Sequence, residues 1–386
     1  MSSLSFFAAT LAALSASWIA QTGPYAKAPA LGIRIGSFRH GTYDAITDVG
    51  GVRVGQVTHI EGQGRLVPGV GPVRTGITAI IPRADVWHKK VFAAAWDLNG
   101  NGEMTGSHWL NESGFLEEPI LFTSTMSVGR VYDGVESWMI KHNPDVGIGD
   151  DEPIPVVMEI ADGFLNDQQG RHDTAVDAVS ALESAKGGPV AQGGVGGGTG
   201  SVSFEFKGGI GTASRILPQS DGGYSVGVLL NANNTGPRRD LIVEGVPVGL
   251  EITDLLPVEP HAAGRSLDIV IATNAPLLPS ELLRLCKSAS LGVARAGWTS
   301  RISSGDLFLA FSTGNVVPHY PEARTFNAAV MDIQHMNPLI FATEEAAEEA
   351  LLNQLLAAQT TVGRDGNTVY ALPHDRLLQT LHRYGR

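Results

Sequence analysis

Ser266 stands at the head of an apolar, β-branched run, Leu267-Asp268-Ile269-Val270-Ile271-Ala272, which reads as a buried strand. Further along, Ser304-Gly305-Asp306 lead into a second such run over 307–311. A serine and a carboxylate two residues apart in extended backbone point to the same side. Two strands separated by one helix can be neighbours in a sheet, so both polar sets could converge on Ser266. That would give a nucleophile with its own polar relay, the minimum for acyl transfer. By spacing alone a second reading also stands, in which Ser-Gly-Asp is a turn at a strand entry.

The elements that would position these groups are short strands interleaved with helices. Apolar, β-branched runs predict strands over 77–81, 91–95, 156–160, 225–231, 268–273 and 307–312. Helical patterns cover 127–142, 173–186, 279–296 and 343–358. Gly187 is the expected stop of the second, and Thr343 with Glu344 and Glu345 the expected start of the last. Buried strands with helices enough to cover two sheets make the class α/β. Periodicity does not separate a four-layer sandwich from a three-layer doubly wound fold.

Composition narrows the chemistry. The chain has 386 residues, 43% of them hydrophobic, which suits a large core, and no linker or repeat divides it. A net charge of −12 argues against nucleic acid, whose binding needs a basic face. The single cysteine, Cys286, excludes an internal disulfide and lies on an apolar helical face with Leu282, Leu283 and Ala289. Glycines cluster over 187–211 among β-branched runs, which marks tight turns and close backbone approach. Asp97, Asn99, Asn101 and Gly102 match half of a calcium loop, but its twelfth position is His108. Without a metal motif, a dinucleotide motif or a P-loop, neither metal nor cofactor is expected. Leu4 to Ala20 is apolar and Ala26-Lys27-Ala28 suits a small-x-small cleavage site, but no Lys or Arg precedes the run. An exported protein and a cytoplasmic one with a flexible extension over 1–28 both remain open. The run is short for a membrane span.

Longer motifs carry a resemblance. TDVGGVRVGQVTH (47–59), TGITAIIPR (75–83), LNGNGEMTG (98–106), EIADGFLND (159–167), GGVGGGTG (193–200), FKGGIGTASR (206–215) and GVLLNAN (227–233) occur in this order. With the Ser266 segment they make the chain similar to the L-aminopeptidase D-Ala-esterase/amidase and β-peptidyl aminopeptidase family, over nearly everything after about residue 30. The resemblance implies a four-layer αββα sandwich, shared in broad outline with the ornithine acetyltransferases. It implies one catalytic domain over 29–386 that cuts itself between Arg265 and Ser266, giving chains 29–265 and 266–386. Ser266 would then be the nucleophile, Ser304 and Asp306 its support, Asn233 the oxyanion donor and Glu159 the acid that binds the substrate's free amine. Family members are homo-oligomers, so an oligomer of such αβ units is expected.

Two positions depart from the family's pattern. Arg265 replaces the usual Gly or Asn, placing a long cation at the acyl shift. Ala161 replaces an aromatic, implying a more open pocket.

The chemistry fits the residues. A freed α-amine on Ser266, with a reference pKa of about 7.7–8.0, can serve as base without histidine. The expected substrate is a short peptide, amide or ester bearing a free amine, with L-, D- or β-amino acids released. Transfer of the same acyl group to an amine, forming a peptide bond, is an alternative. So is an inactive homologue that never cleaves.

Overall fold

The computed structural model describes residues 27–233, 236–257 and 266–386. Its first half contains β1 (Arg53–Glu61), β2 (Val73–Ile81), β3 (Lys89–Gly100), α1 (Ser107–Ser113), β4 (Phe115–Leu116), β5 (Ile120–Ser124), α2 (Val128–His142), β6 (Val156–Ile160) and α3 (Ala175–Glu183). There follow β7 (Val202–Ser203), β8 (Phe206–Lys207), β9 (Gly209–Ile216), β10 (Ser225–Asn233), α4 (Val248–Glu251), β11 (Ser266–Thr273), α5 (Pro279–Arg295), β12 (Gly305–Pro318) and α6 (Asn337–Ala357). One sheet runs β1-β2-β5-β6 and a second β4-β3-β12-β11-β10-β9. Within these sheets β5–β6 and β11–β12 are parallel. Each parallel pair is joined through a helix, α2 or α5, as a parallel crossover requires.

Strand periodicity decides what each face meets. Ile80, Phe122 and Met158 of the first sheet cluster with Leu229, Val270, Leu309 and Phe311 of the second. On the first sheet's other face, Ile77, Leu121 and Val157 pack on Val131 and Val135 of α2 and Leu182 of α3. The second sheet presents Ile269, Ile271 and Phe308 to Leu282, Leu285 and Cys286 of α5 and Leu351 of α6. Burial on both faces explains why β2, β10 and β11 read as continuous apolar runs.

The glycine cluster is a place of close approach. At Gly209, with φ +148°, an added Cβ would lie 1.9 Å from Gly193 O. At Gly196, with φ +52°, it would lie 2.2 Å from Thr78 Oγ1.

Several boundaries move. β3 runs well past 91–95 because its polar end, Asp97 to Gly100, pairs with the start of β12. β10 continues two residues past the expected 225–231, so Asn233 closes the strand. α3 starts on the cap Thr174, whose side chain accepts from Asp177 N, and stops at Ser184, ahead of Gly187. The largest correction is α6, which begins at Asn337 with proline in its first turn rather than at Thr343. Thr343 is interior, donating from Oγ1 to Leu339 O at 2.7 Å. α6 is buried nearly all round, so it lacks the amphipathic stripe that marks a start, and Glu344, Glu345 and Glu349 are buried.

Candidate active site

The site forms where β11 and β12 start and where β3, β6 and β10 end. Ser266, 2% exposed, is the first residue of β11. Its Cα lies in register with Asn233 of antiparallel β10 on one side and Gly305 of parallel β12 on the other. Ser304 and Asp306 therefore flank the position beside it. Within that pair Ser304 Oγ donates to Asp306 Oδ1 at 2.6 Å, and Ser300 Oγ donates to Oδ2. Burial pushes the Asp306 carboxyl up, and these two hydroxyls pull against it. Asp306 thus lies inside the strand and holds the serine that precedes it.

Asn233 is fully buried. Its Oδ1 accepts from Val202 N at 2.8 Å and its Nδ2 donates to Ala161 O at 2.7 Å. The amide is thereby fixed in orientation, and a second Nδ2 hydrogen is left. Ala161, the position marked for its small side chain, supplies its carbonyl to this contact.

Glu159, in β6, accepts from Glu103 N at 3.2 Å and from Thr125 Oγ1. Burial raises its carboxyl, and both hydrogen bonds oppose the rise. Gly102 is pinched beside it: a Cβ there would lie 3.1 Å from Gly305 Cα and 3.4 Å from Glu159 Oε1. The turn once compared with a calcium loop therefore bridges Glu159 to the entry of β12. Five residues named from sequence, Ser266, Asn233, Ser304, Asp306 and Glu159, converge through this packing. Arg265, the residue before the expected cut, lies outside the described residues, as do residues 1–26.

Sequence reasoning missed two site residues. Ser300 was readable only as one more loop serine. Asp268 was visible as a carboxylate inside an apolar strand, on the same face as Ser266. Among the described residues two groups could offer ligands to a metal ion, His40-Asp44-Glu349 and Asp150-Asp151-His319. Neither includes a residue of the Ser266 site. Both are already knit by contacts of their own, such as His40 Nε2–Glu349 Oε2 at 2.9 Å and Trp87 Nε1–Asp150 Oδ2 at 2.8 Å.

A serine at a strand start, an orienting hydroxyl–carboxylate pair, a fixed amide and a buried acid can together support acyl transfer. Comparison with known proteins points the same way. The family model described as Peptidase family S58 matches residues 44–369. The β-peptidyl aminopeptidase BapA of Sphingosinicella xenopeptidilytica is 42% identical over 355 residues, 88% of this chain and 87% of that protein. A Burkholderia sp. β-aminopeptidase structure superposes with TM-score 0.85 at 42% identity, covering 93% of this chain and 99% of that one. The L-aminopeptidase D-Ala-esterase/amidase of Ochrobactrum anthropi, described as a prototype for the serine aminopeptidases and a variant of the Ntn hydrolase fold, superposes with TM-score 0.86. It is 37% identical, again over 93% of this chain and 99% of that one.

Proposed function

The chain belongs to peptidase family S58 and is a hydrolase of the aminopeptidase type, and from that premise we propose how its residues carry out the reaction. The observation that carries the reading is the register of Ser266, held between Asn233 and Gly305 with the Ser304–Asp306 pair at its side. We read the fold as a four-layer αββα sandwich and residues 29–386 as one catalytic domain.

Maturation comes first. The Ser266 hydroxyl attacks the carbonyl of Arg265, the acyl group shifts from nitrogen to oxygen, and water cleaves the resulting ester. The products are chains 29–265 and 266–386, the second beginning with a free amine. That amine has a reference pKa of about 7.7–8.0 and takes the hydroxyl proton as Ser266 attacks a substrate carbonyl. Ser304 and Asp306 orient the amine and hydroxyl, and Asn233 Nδ2 donates to the developing oxyanion. Loss of one such donor costs about 2.7–4 kcal/mol. The leaving amine takes up the proton, and water then releases the acyl group from Ser266. Glu159 holds the substrate's own ammonium, which makes the enzyme cut next to a free amino terminus. Substrates are short peptides, amides or esters of L-, D- or β-amino acids, and the working form is a homo-oligomer of αβ units.

The test is Ser266→Ala. The wild type should run as two chains, the smaller beginning at Ser266 by N-terminal sequencing. The variant should run as one uncleaved chain without hydrolysis of aminoacyl p-nitroanilides. Two chains from the variant would refute the assignment.

A further inference from the structure

Asp268 has no counterpart in the machinery above. It lies two residues along β11 from Ser266, is 0% exposed, and neither carboxylate oxygen has a hydrogen-bond partner. Unpartnered carboxylates are among the most costly groups to bury, so such a residue calls for a ligand. The described groups around it offer none. Asn231, its register partner on β10, spends its amide elsewhere, with Nδ2 donating to Gly197 O at 3.0 Å and Oδ1 accepting from Ser201 Oγ at 3.2 Å. On β12 its register partner is Leu307. Burial first, then the negative charges of Glu159 on β6 and Asp306 on β12, hold its carboxyl well above the usual carboxylate range. Among the described residues, no Lys or Arg pairs with it.

We propose that Asp268 is a second acid for the substrate's ammonium, which binds between Asp268 and Glu159 while the acyl carbon is held at Ser266. The inference rests on the aminopeptidase reading and names the part of the substrate this chain grips. Alternation along β11 puts the Ser266 and Asp268 side chains on one face, about 6.6 Å apart by strand rise. An acyl group on Ser266 Oγ, with its amine one or two carbons beyond the carbonyl, spans that gap. The α-amine of Ser266 itself belongs to the backbone, in the plane of the sheet, while Asp268 projects from the face. The substrate is therefore the nearer cation. Burial and the neighbouring carboxylates favour the protonated form of Asp268, and an ammonium placed between the acids favours the ionised one.

The experiment compares wild type, Asp268→Asn and Asp268→Leu as mature enzymes on L-alanyl, β-alanyl and propionyl p-nitroanilides, the last lacking the amine. Both variants should raise KM for the two aminoacyl substrates about tenfold with kcat within about threefold, leaving propionyl hydrolysis unchanged. Asp268→Leu, which places an apolar side chain in an apolar strand, should also raise the melting temperature, whereas a merely structural carboxylate would lower it. Aminoacyl KM values within twofold of wild type overturn the proposal. So does a loss equally large on the propionyl substrate. If wild-type protein shows neither the cut before Ser266 nor aminopeptidase activity, the underlying reading fails. An active wild type with indifferent Asp268 variants defeats this inference alone.

Discussion

Two buried charged regions of this molecule are built by opposite rules. Where α6 meets β9, Arg215 is 0% exposed and neutralises its neighbours. Its Nε lies 3.1 Å from Glu345 Oε2, its NH2 2.7 Å from Glu349 Oε2, and it also donates to Ile35 O at 2.7 Å. Glu345 further accepts from Ser37 N at 2.7 Å and Phe38 N at 3.1 Å, tying the N-terminal segment to the helix. At the Ser266 end, three buried carboxylates, Glu159, Asp268 and Asp306, stand together without a cationic partner among the described residues. The first and last meet hydroxyls and one amide, and Asp268 has no hydrogen-bond partner among the described residues. A paired cluster carries its counter-charge within the fold. An unpaired one is complete only when something positive arrives, and a substrate with a free amine brings that charge.

The contrast can be broken by removing one member from each region. Arg215→Met should cost about 3–5 kcal/mol, because it leaves buried Glu345 with hydrogen-bond donors but no cation and buried Glu349 with His40 alone. Urea unfolding checks this best in the Ser266→Ala background, where a single chain unfolds. The kcat of what remains folded in the otherwise wild-type enzyme should not change. A loss below about 1 kcal/mol would mean that the network is not what holds the N-terminal segment. Asp306→Asn should behave the other way round. It keeps the shape of the side chain while removing a charge that has no cationic partner among the described residues, so stability should hold or rise. The value of kcat/KM should fall about 10²-fold or more, equivalent to about 2.7 kcal/mol of transition-state stabilisation. A variant that unfolds readily yet keeps its activity would erase the distinction between the regions.

How much of this could be read beforehand follows from the same physics. Strands with two buried faces announce themselves as apolar runs, so the cores of β2, β6, β11 and β12 were legible. β3 was cut short because its polar end, Asp97 to Gly100, pairs only with the equally polar entry of β12. α6 was misplaced because Thr343 followed by glutamates has the composition of a helix's first turn, whereas Glu345 and Glu349 face a buried arginine encoded far away at position 215. Ser266, Ser304, Asp306, Asn233 and Glu159 were reachable through motif order. What local sequence could not convey was the Asn233–Ala161 contact, or that Asp268 would find no partner. Both depend on which strands become neighbours.

Asp173 offers the finest test, since it belongs to neither extreme. It accepts from Thr75 Oγ1 at 3.0 Å and Thr123 Oγ1 at 2.8 Å, both neutral donors. Burial, aided by nearby Asp162, pushes its carboxyl up to about 7. A carboxyl raised on folding binds a proton in the native state that the unfolded chain has already lost. Its contribution is therefore full below the ordinary value near 3.8 and is lost as pH rises through about 7. Across that window the slope is at most about 1.4 kcal/mol per pH unit. Asp173→Asn removes the titration but keeps an acceptor for the threonines. In the Ser266→Ala background, the variant should gain stability relative to its parent steadily between pH 4.5 and 7, then hold that gain above 7. Asp44 and Glu118, raised to about 7 and about 8, titrate in both proteins and cancel from the difference. Parallel curves would show that Asp173 is ionised in the native state. Hydroxyls alone would then suffice to hold a buried carboxylate here, and the lack of a cation around Glu159 and Asp306 among the described residues would no longer imply an awaited ligand.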